Sequence, residues 1–279
     1  MNAAPHPSFK IKATTYQRQN RALALAASGV GFAALFTLYL PIVLLFVLSF
    51  SSDPLSGRVP SLSLEWYEAL WVSDVFKVRD PLLLSLGLGL LNAALCATSA
   101  LLVGRVLPRM KRNAPLIFMF LLPLLVPGIL LGAGVFTYYR VLIGVKMGLW
   151  SLLLAHFMWA FPFALLCMLI VASRFDARLL EAAADLGASR WQRFRDVELP
   201  LLKPGIFAGG FFAFLLSFNE LSRSIFMRSG ELTLPLYLWV QSGGRSATIP
   251  IIYAMSTIVA LVSIVLVFIA VRMMFPKER

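Results

Sequence analysis

The sequence predicts an all-α polytopic membrane protein with six transmembrane helices, and three observations predict it. Hydrophobic residues make up 59% of the chain and charged residues only 14%, with a mean hydropathy of +0.83. Soluble domains average about 45–50% apolar and about 25% charged, so the excess is too large for one aqueous core and must face lipid. Six apolar stretches reach the roughly 17–25 residues that a helix needs to cross the hydrocarbon. The basic residues collect between those stretches on one side more than the other, which sets an orientation.

Taken in order, residues 1–21 are polar and basic, with Lys10, Lys12, Arg18 and Arg21. The first apolar run, about 22–50, is too long for a signal-peptide core and no small-residue cleavage pattern follows it, so it reads as an uncleaved span. It is long enough to tilt or to extend beyond the bilayer. The loop 51–80 carries Asp53, Glu65, Glu68, Asp74 and Asp80, with Trp66, Tyr67 and Trp71 placed as an aromatic belt on a short interfacial helix. Spans follow at about 82–104, 115–138, 150–172, 205–227 and 250–273. Pro123 and Pro127-Gly128 predict a kink or break midway through the third.

With the amino terminus inside, the cytoplasmic pieces are 1–21, 105–114, 173–204 and the tail 274–279. Together with adjacent span ends they hold about two thirds of the Lys and Arg residues. An even number of spans then puts both termini in the cytoplasm. The net charge of +12 follows from this topology rather than from nucleic acid. Cys96 and Cys167 sit inside apolar runs without metal-ligand spacing, as reduced structural thiols do.

The segment 173–204 departs from the pattern of a plain loop. Leu179, Leu180, Ala183 and Leu186 recur on one face of a helix. Gly187 is a helix stop, Ser189 can cap a second short helix bearing Trp191 and Phe194, and Pro200 is expected to end it. The product is a helix–turn–helix between spans four and five. An amphipathic segment resting on headgroups would favour basic residues. Glu181 and Asp185, four residues apart beside the apolar face, fit a docking surface for a soluble partner better.

The residues Glu181-Ala182-Ala183, Gly187, Val197, Leu199 and Pro200 match a pattern: E-A-A, three residues, G, nine residues, an aliphatic, one residue, L-P. Val stands where Ile is commoner. This resembles the loop signature of permease subunits of binding-protein-dependent ABC importers, the six-span type I group. The resemblance implies a coupling helix seated in a groove of a cytoplasmic ATPase. Glu181 would cap that helix or pair with a basic residue of the partner. Ala182, Ala183 and Asp185 would share its surface, Gly187 would permit the sharp turn, and Leu199-Pro200 would close the motif. It also implies two ATPase copies that bind ATP and Mg, a second, non-identical permease, and a periplasmic or surface solute-binding protein that meets the loops 51–80 and 228–249. The surrounding partner is membrane lipid, in the bacterial inner (cytoplasmic) membrane. The chain lacks a G-x-x-x-x-G-K-[S/T] loop and any Gly-Lys dipeptide, so it has no nucleotide cradle of its own. It reads as a non-catalytic subunit without cofactors.

SLEWYEALW, GLWSLLLAHFMWAFPF and SRFDARLLEAAADLGAS further resemble the C-type permeases of spermidine/putrescine importers, over about residues 35–270. Polyamine is therefore the expected cargo. Two departures stand out. Gly128 replaces an acidic residue that group carries after the mid-span proline, and Asn219-Glu220 replaces its paired aspartates. Iron, opines, other amino compounds and phosphonates remain alternative cargoes.

Within the spans, Glu220 is the one acidic residue in an apolar run. An ionised group at a span centre costs about 2.5–3.5 kcal/mol on insertion scales, so it should face the subunit interior. Two compatible roles follow: a substrate pathway shared with Ser217 and Asn219, or a structural pair with Arg223 at i+3. Pro127 and Gly128 either open backbone carbonyls toward a cavity or make an ordinary kink. Tyr253 is a further pathway candidate, with Asn92 and Ser256 weaker. His156 reads as a hydrogen-bonded packing residue, and no second His supports a metal site. A self-contained secondary transporter or channel would leave the loop signature unexplained, and a membrane enzyme would need a constellation the chain lacks.

Overall fold

Where the sequence stays apolar, the backbone must pair its own N–H and C=O groups, and it does so as helix. The computed structural model describes residues 8–72, 77–228, 230–244 and 248–274. Residues 1–7, Asp74, the tail from 275 and parts of the 228–249 loop lie outside them. Among the described residues there is no β-strand, only an isolated bridge between Ser51 and Leu62. The chain divides after Trp66 into two compact units.

The first unit is dominated by α1, Ser8–Ser49. Its apolar part, Leu23–Ser49, has 27 residues and spans about 40 Å at the helical rise, longer than the roughly 30 Å hydrocarbon core. Phe32, Phe36 and Ile42 are exposed along it, as on a lipid-facing helix. A short turn-back follows, pinned where Ser63 N donates to Phe50 O (2.8 Å) and Trp66 Nε1 donates to Ser51 O (2.8 Å). Trp66, Tyr67 and Trp71 do fall on one short helix, α2, Glu65–Val72.

The second unit is built on α3 (Arg79–Val106), α6 (Leu149–Ala172) and α9 (Leu199–Phe218), which pack pairwise on one another. Their shared core is rich in small side chains, Cys96, Ala100, Ala160, Ala164 and Ala213, around Leu165, Met168 and Leu202. In lipid, helices gain little from hiding apolar surface from one another, so close backbone approach carries the packing. A Cβ at Gly209 would lie 3.0 Å from the Ala164 carbonyl oxygen. Gly209→Ala would push α9 off α6.

The third apolar run is broken, as its prolines require. Helix α4 (Ala114–Leu121) tightens into a 3₁₀ turn at Leu122–Leu124, and α5 (Gly128–Phe136) opens into a wide π turn, Thr137–Leu142. The two halves meet at 93°. Pro127 sits between them in extended conformation at ψ 131. Among the described residues five other helices are long and apolar enough to cross a bilayer, and the bent pair makes a sixth if it counts as one span.

The fifth helix differs from expectation at both ends. Pro200 does not stop the second short helix: α7 (Arg178–Asp185) is followed by α8 (Arg190–Gln192), a π turn Arg193–Glu198, and α9 without interruption. In that turn Leu199 N donates five residues back, to Phe194 O. The wider register leaves room for Pro200, which has no N–H to contribute and sits in the first turn of α9. At the other end the run expected to 227 stops at Phe218. The chain breaks at Asn219–Arg223 before a four-residue helix, α10 (Ser224–Met227). Helices α11 (Leu234–Ser242) and α12 (Ile249–Met274) complete the unit. Leu234 N donates to Ser85 Oγ of α3 at 2.7 Å.

Candidate functional site

Two regions of the second unit carry unusual chemistry. The first is the helix–turn–helix. Asp176 Oδ1 accepts from Arg178 N (2.9 Å) and starts α7. At its end Gly187 adopts φ +84, a left-handed conformation that is costly for any side chain but glycine's hydrogen. Gly187 N then donates to Ala184 O and Ala188 N to Ala183 O, which satisfies the last carbonyls as a Schellman turn does. Ser189 and Gln192 cap α8 reciprocally: Gln192 N donates to Ser189 Oγ and Ser189 N to Gln192 Oε1.

With both helices held, the apolar face splits. Leu180 and Ala183 turn inward and are half-buried. Leu186 is left 89% exposed, with Leu179 and Trp191 also outside. Ala182, Glu181, Asp185 and Pro200 are exposed as well, and Leu199 is half-buried. Neither Glu181 nor Asp185 has an ion partner among the described residues. This is an apolar ridge edged with two free carboxylates.

Behind the ridge is an ion cluster that sequence reasoning did not single out. Glu198, buried, accepts from Arg105 Nη2 (2.6 Å) and Arg109 Nη2 (2.8 Å), and the Arg105 guanidinium lies 4.2 Å over the Phe194 ring. The cluster ties the wide turn to the end of α3. Nothing in local periodicity could have paired Glu198 with arginines some 90 residues earlier.

The second region is a cavity of about 760 Å³ formed where the two broken helices meet. Leu124–Gly128 line one side and Asn219–Arg223 the other, with Trp159 of α6 between them. The structure thus brings Pro127, Gly128, Asn219 and Glu220 together. It does not bring Ser217 or Tyr253 to the lining: Ser217 is buried behind it, and Tyr253 lies half-buried on α12.

Local hydrogen bonds explain why α9 ends there. Asn219 Nδ2 donates to Leu215 O, and Glu220 Oε1 takes the Arg223 N–H at 2.8 Å, so side chains satisfy groups that helix bonds otherwise would. Glu220 Oε2 also accepts from Arg223 Nη1 at 2.9 Å, with the two side chains 5% and 4% exposed. The i+3 pair is present, though in a helix break rather than at a span centre. The Arg223 guanidinium stacks 4.3 Å from the Trp159 ring centre, and its Nε has no acceptor among the described residues. Gly128 makes room for it: a Cβ there would sit 2.9 Å from Nη1.

His156 acts as the fastener behind this break. Its Nδ1 lies 2.7 Å from Ser217 Oγ and its Nε2 3.0 Å from Ser224 Oγ. Ser224 spends its one proton on Glu220 O (3.0 Å), so it accepts from Nε2–H, and Nδ1 accepts from Ser217. Ser151 Oγ adds a bond to Met227 O at 2.6 Å. The packing role expected for His156 is what the geometry shows. Asn92 is likewise buried, donating weakly to Ala213 O.

Comparison with known proteins agrees in kind. Residues 30–279 match the sequence profile of the binding-protein-dependent transport system inner membrane component family. The chain is 31% identical over 239 residues to the spermidine/putrescine transport system permease protein PotC of Escherichia coli, covering 82% of this chain and 86% of that one. The putrescine transport system permease protein PotI of E. coli is 29% identical over 236 residues, covering 80% and 81%. The putative 2-aminoethylphosphonate transport system permease protein PhnV of Salmonella paratyphi A is 30% identical over 227 residues, covering 77% and 82%. In fold, the chain is similar to one in the crystal structure of a bacterial ABC transporter involved in the import of the acidic polysaccharide alginate. The TM-score is 0.67 at 17% identity, over 95% of this chain and all of that one.

Proposed function

The chain belongs to the family of inner membrane components of binding-protein-dependent transport systems, the permeases of ABC importers, and we propose that its α7 ridge is the surface through which a separate ATPase drives it. The observation that carries this reading is the pairing of exposed Leu179, Leu186 and Trp191 with unpartnered Glu181 and Asp185. A groove with apolar walls and a basic rim on the partner satisfies both. In this reading the bent pair Ala114–Leu142 is one of six spans, both termini are cytoplasmic, and 173–204 is the coupling loop. Two ATPase copies hold the ATP and Mg, a second, non-identical permease completes the pathway, and an external solute-binding protein delivers cargo.

ATP binding draws the two coupling segments together and hydrolysis releases them. The permease responds only so far as its partners bind its two states differently. The caps at Asp176, Gly187 and Ser189 hold α7 in shape against the wide turn Arg193–Glu198, so that a displacement of the ridge passes through that turn into α9 and toward the cavity at its far end.

The 760 Å³ cavity is the proposed cargo path, with Pro127, Gly128, Asn219 and Glu220 on its wall. Polyamine is the cargo indicated by the PotC- and PotI-like sequence. A second reading is favoured by Arg223. Its Glu220 partner is already neutralised by it, and its Nε is still unspent. An amino compound that also carries an anionic group, as the PhnV-like sequence suggests, would use both.

The test is reconstituted uptake with the neighbouring ATPase and binding protein. Glu181→Ala should weaken ATP-driven uptake and Gly187→Asp should abolish it. Full uptake by both variants would remove the coupling assignment, and uptake without any ATPase would favour a secondary transporter. Cargo is read separately, by titrating putrescine, spermidine and 2-aminoethylphosphonate into the cognate binding protein.

A further inference from the structure

Between α7 and the end of α3 lies a smaller cavity, about 250 Å³, walled by Arg105, Arg109, Arg190, Arg193, Phe194 and Glu198. Four guanidinium groups meet one carboxylate there. Arg105 and Arg109 are both engaged by Glu198. Arg190 and Arg193 have no ion partner among the described residues, and the Nε atoms of Arg105 and Arg193 are buried without an acceptor. A concave site with excess positive charge and unspent buried N–H donors is incomplete without an anion.

We propose that this pocket binds the phosphate of an anionic phospholipid headgroup. Tetrahedral oxyanions suit guanidinium forks, which give two parallel charge-assisted bonds each. The choice of a lipid over free phosphate rests on position. The pocket lies where α3 ends and the helix leading into α9 begins, which the orientation of the proposed function puts on the cytoplasmic side, and basic pockets between membrane helices on that side are a recurrent headgroup site. Its wall includes the Phe194 ring and Leu180, an apolar flank for glycerol and upper acyl carbons that inorganic phosphate does not need. A headgroup there would pack against the wide turn Arg193–Glu198, anchoring the base of the coupling segment to the membrane surface.

The test reads bound lipid rather than transport, so it stands or falls independently of ATPase docking. The full chain, with the subunits that co-purify, is placed in nanodiscs of equal phosphatidylcholine and phosphatidylglycerol. It is then mildly delipidated, and retained lipid is identified by mass spectrometry. The wild-type chain should keep phosphatidylglycerol preferentially. Arg190→Gln with Arg193→Gln should cut that preference at least about tenfold, as loss of charge-assisted contacts does. Arg195→Gln removes one charge from the exposed Asp196 pair outside the pocket and should leave it unchanged. Arg193→Lys keeps charge and helix, and should retain an intermediate preference if the double variant fails to assemble. Equal retention of both lipids, an equal loss in Arg195→Gln, or no loss in either Arg193 variant overturns the proposal. Displacement of phosphatidylglycerol by millimolar inorganic phosphate would overturn the lipid as the source.

Discussion

The two ends of one stretch of chain, Asp176–Gln192 at the start and Phe218–Met227 at the finish, treat charge in opposite ways. At the first, Glu181 and Asp185 stand in solvent beside bare Leu186, while the caps and the Gly187 turn that shape α7 and α8 are made by contacts within five residues. At the second, Glu220 and Arg223 are buried against each other, and their surroundings are set from α6 by Trp159, His156 and Ser151. An exposed apolar ridge with free carboxylates leaves apolar surface and charge unspent, and in the proposed function a partner protein covers it. The buried Glu220–Arg223 pair neutralises its charge within the chain, though the Arg223 Nε stays unspent. On the proposed function the first end is there to be covered, whereas the second frames a cavity.

Substitutions can break this contrast from either side. The largest effect on stability should come from Arg223→Ala, which leaves Glu220 buried and unpaired. Breaking a buried pair by removing one partner costs about 3–5 kcal/mol, so thermal unfolding of the detergent-solubilised protein should occur at much lower temperature. Replacing both partners, Glu220→Gln with Arg223→Gln, should recover most of the loss. No recovery would mean that Arg223 matters through Trp159 alone.

Next is Glu198→Gln, which keeps the side chain's shape but weakens its bonds to Arg105 and Arg109. Hydrogen bonds to charged groups contribute about 1.5–3 kcal/mol, and the low end applies because Arg109 is more than half exposed. The expected signature is faster proteolysis at the wide turn Arg193–Glu198. Gly187→Val follows, since a left-handed backbone costs a residue with a side chain about 1–2 kcal/mol. Gly187→Asn, which tolerates that conformation better, should retain more uptake. Identical uptake by the two variants would show that the turn is not under conformational constraint.

How far each end was legible in the sequence follows the same division. Gly187, Ser189 and Pro127 act on backbone within a few residues, so spacing alone located the turn, the second cap and the break in the third apolar run. The Glu220–Arg223 pair was also readable, because i+3 on a helix and i+3 across this break both bring the side chains together. Pro200 misled for a physical reason: proline stops a helix in α register, and here a π turn precedes it. Glu198 was silent because its partners come from α3, and Trp159 because a tryptophan in an apolar run looks like packing. Ser217 is expected from the sequence to share a substrate pathway with Asn219, but its hydroxyl is spent on His156. The departure at Gly128 has a structural reading too, since the guanidinium of Arg223 fills the space above it.

The most direct test of the account is Leu186→Asp. Leu186 is almost fully exposed and its Cα lies in a capped turn, so the change removes nothing from the interior. The account predicts a chain that inserts and unfolds like the wild type, yet no longer co-purifies with its ATPase and no longer supports ATP-driven uptake. An intact complex with wild-type uptake would contradict the claim that this ridge is where the motor docks.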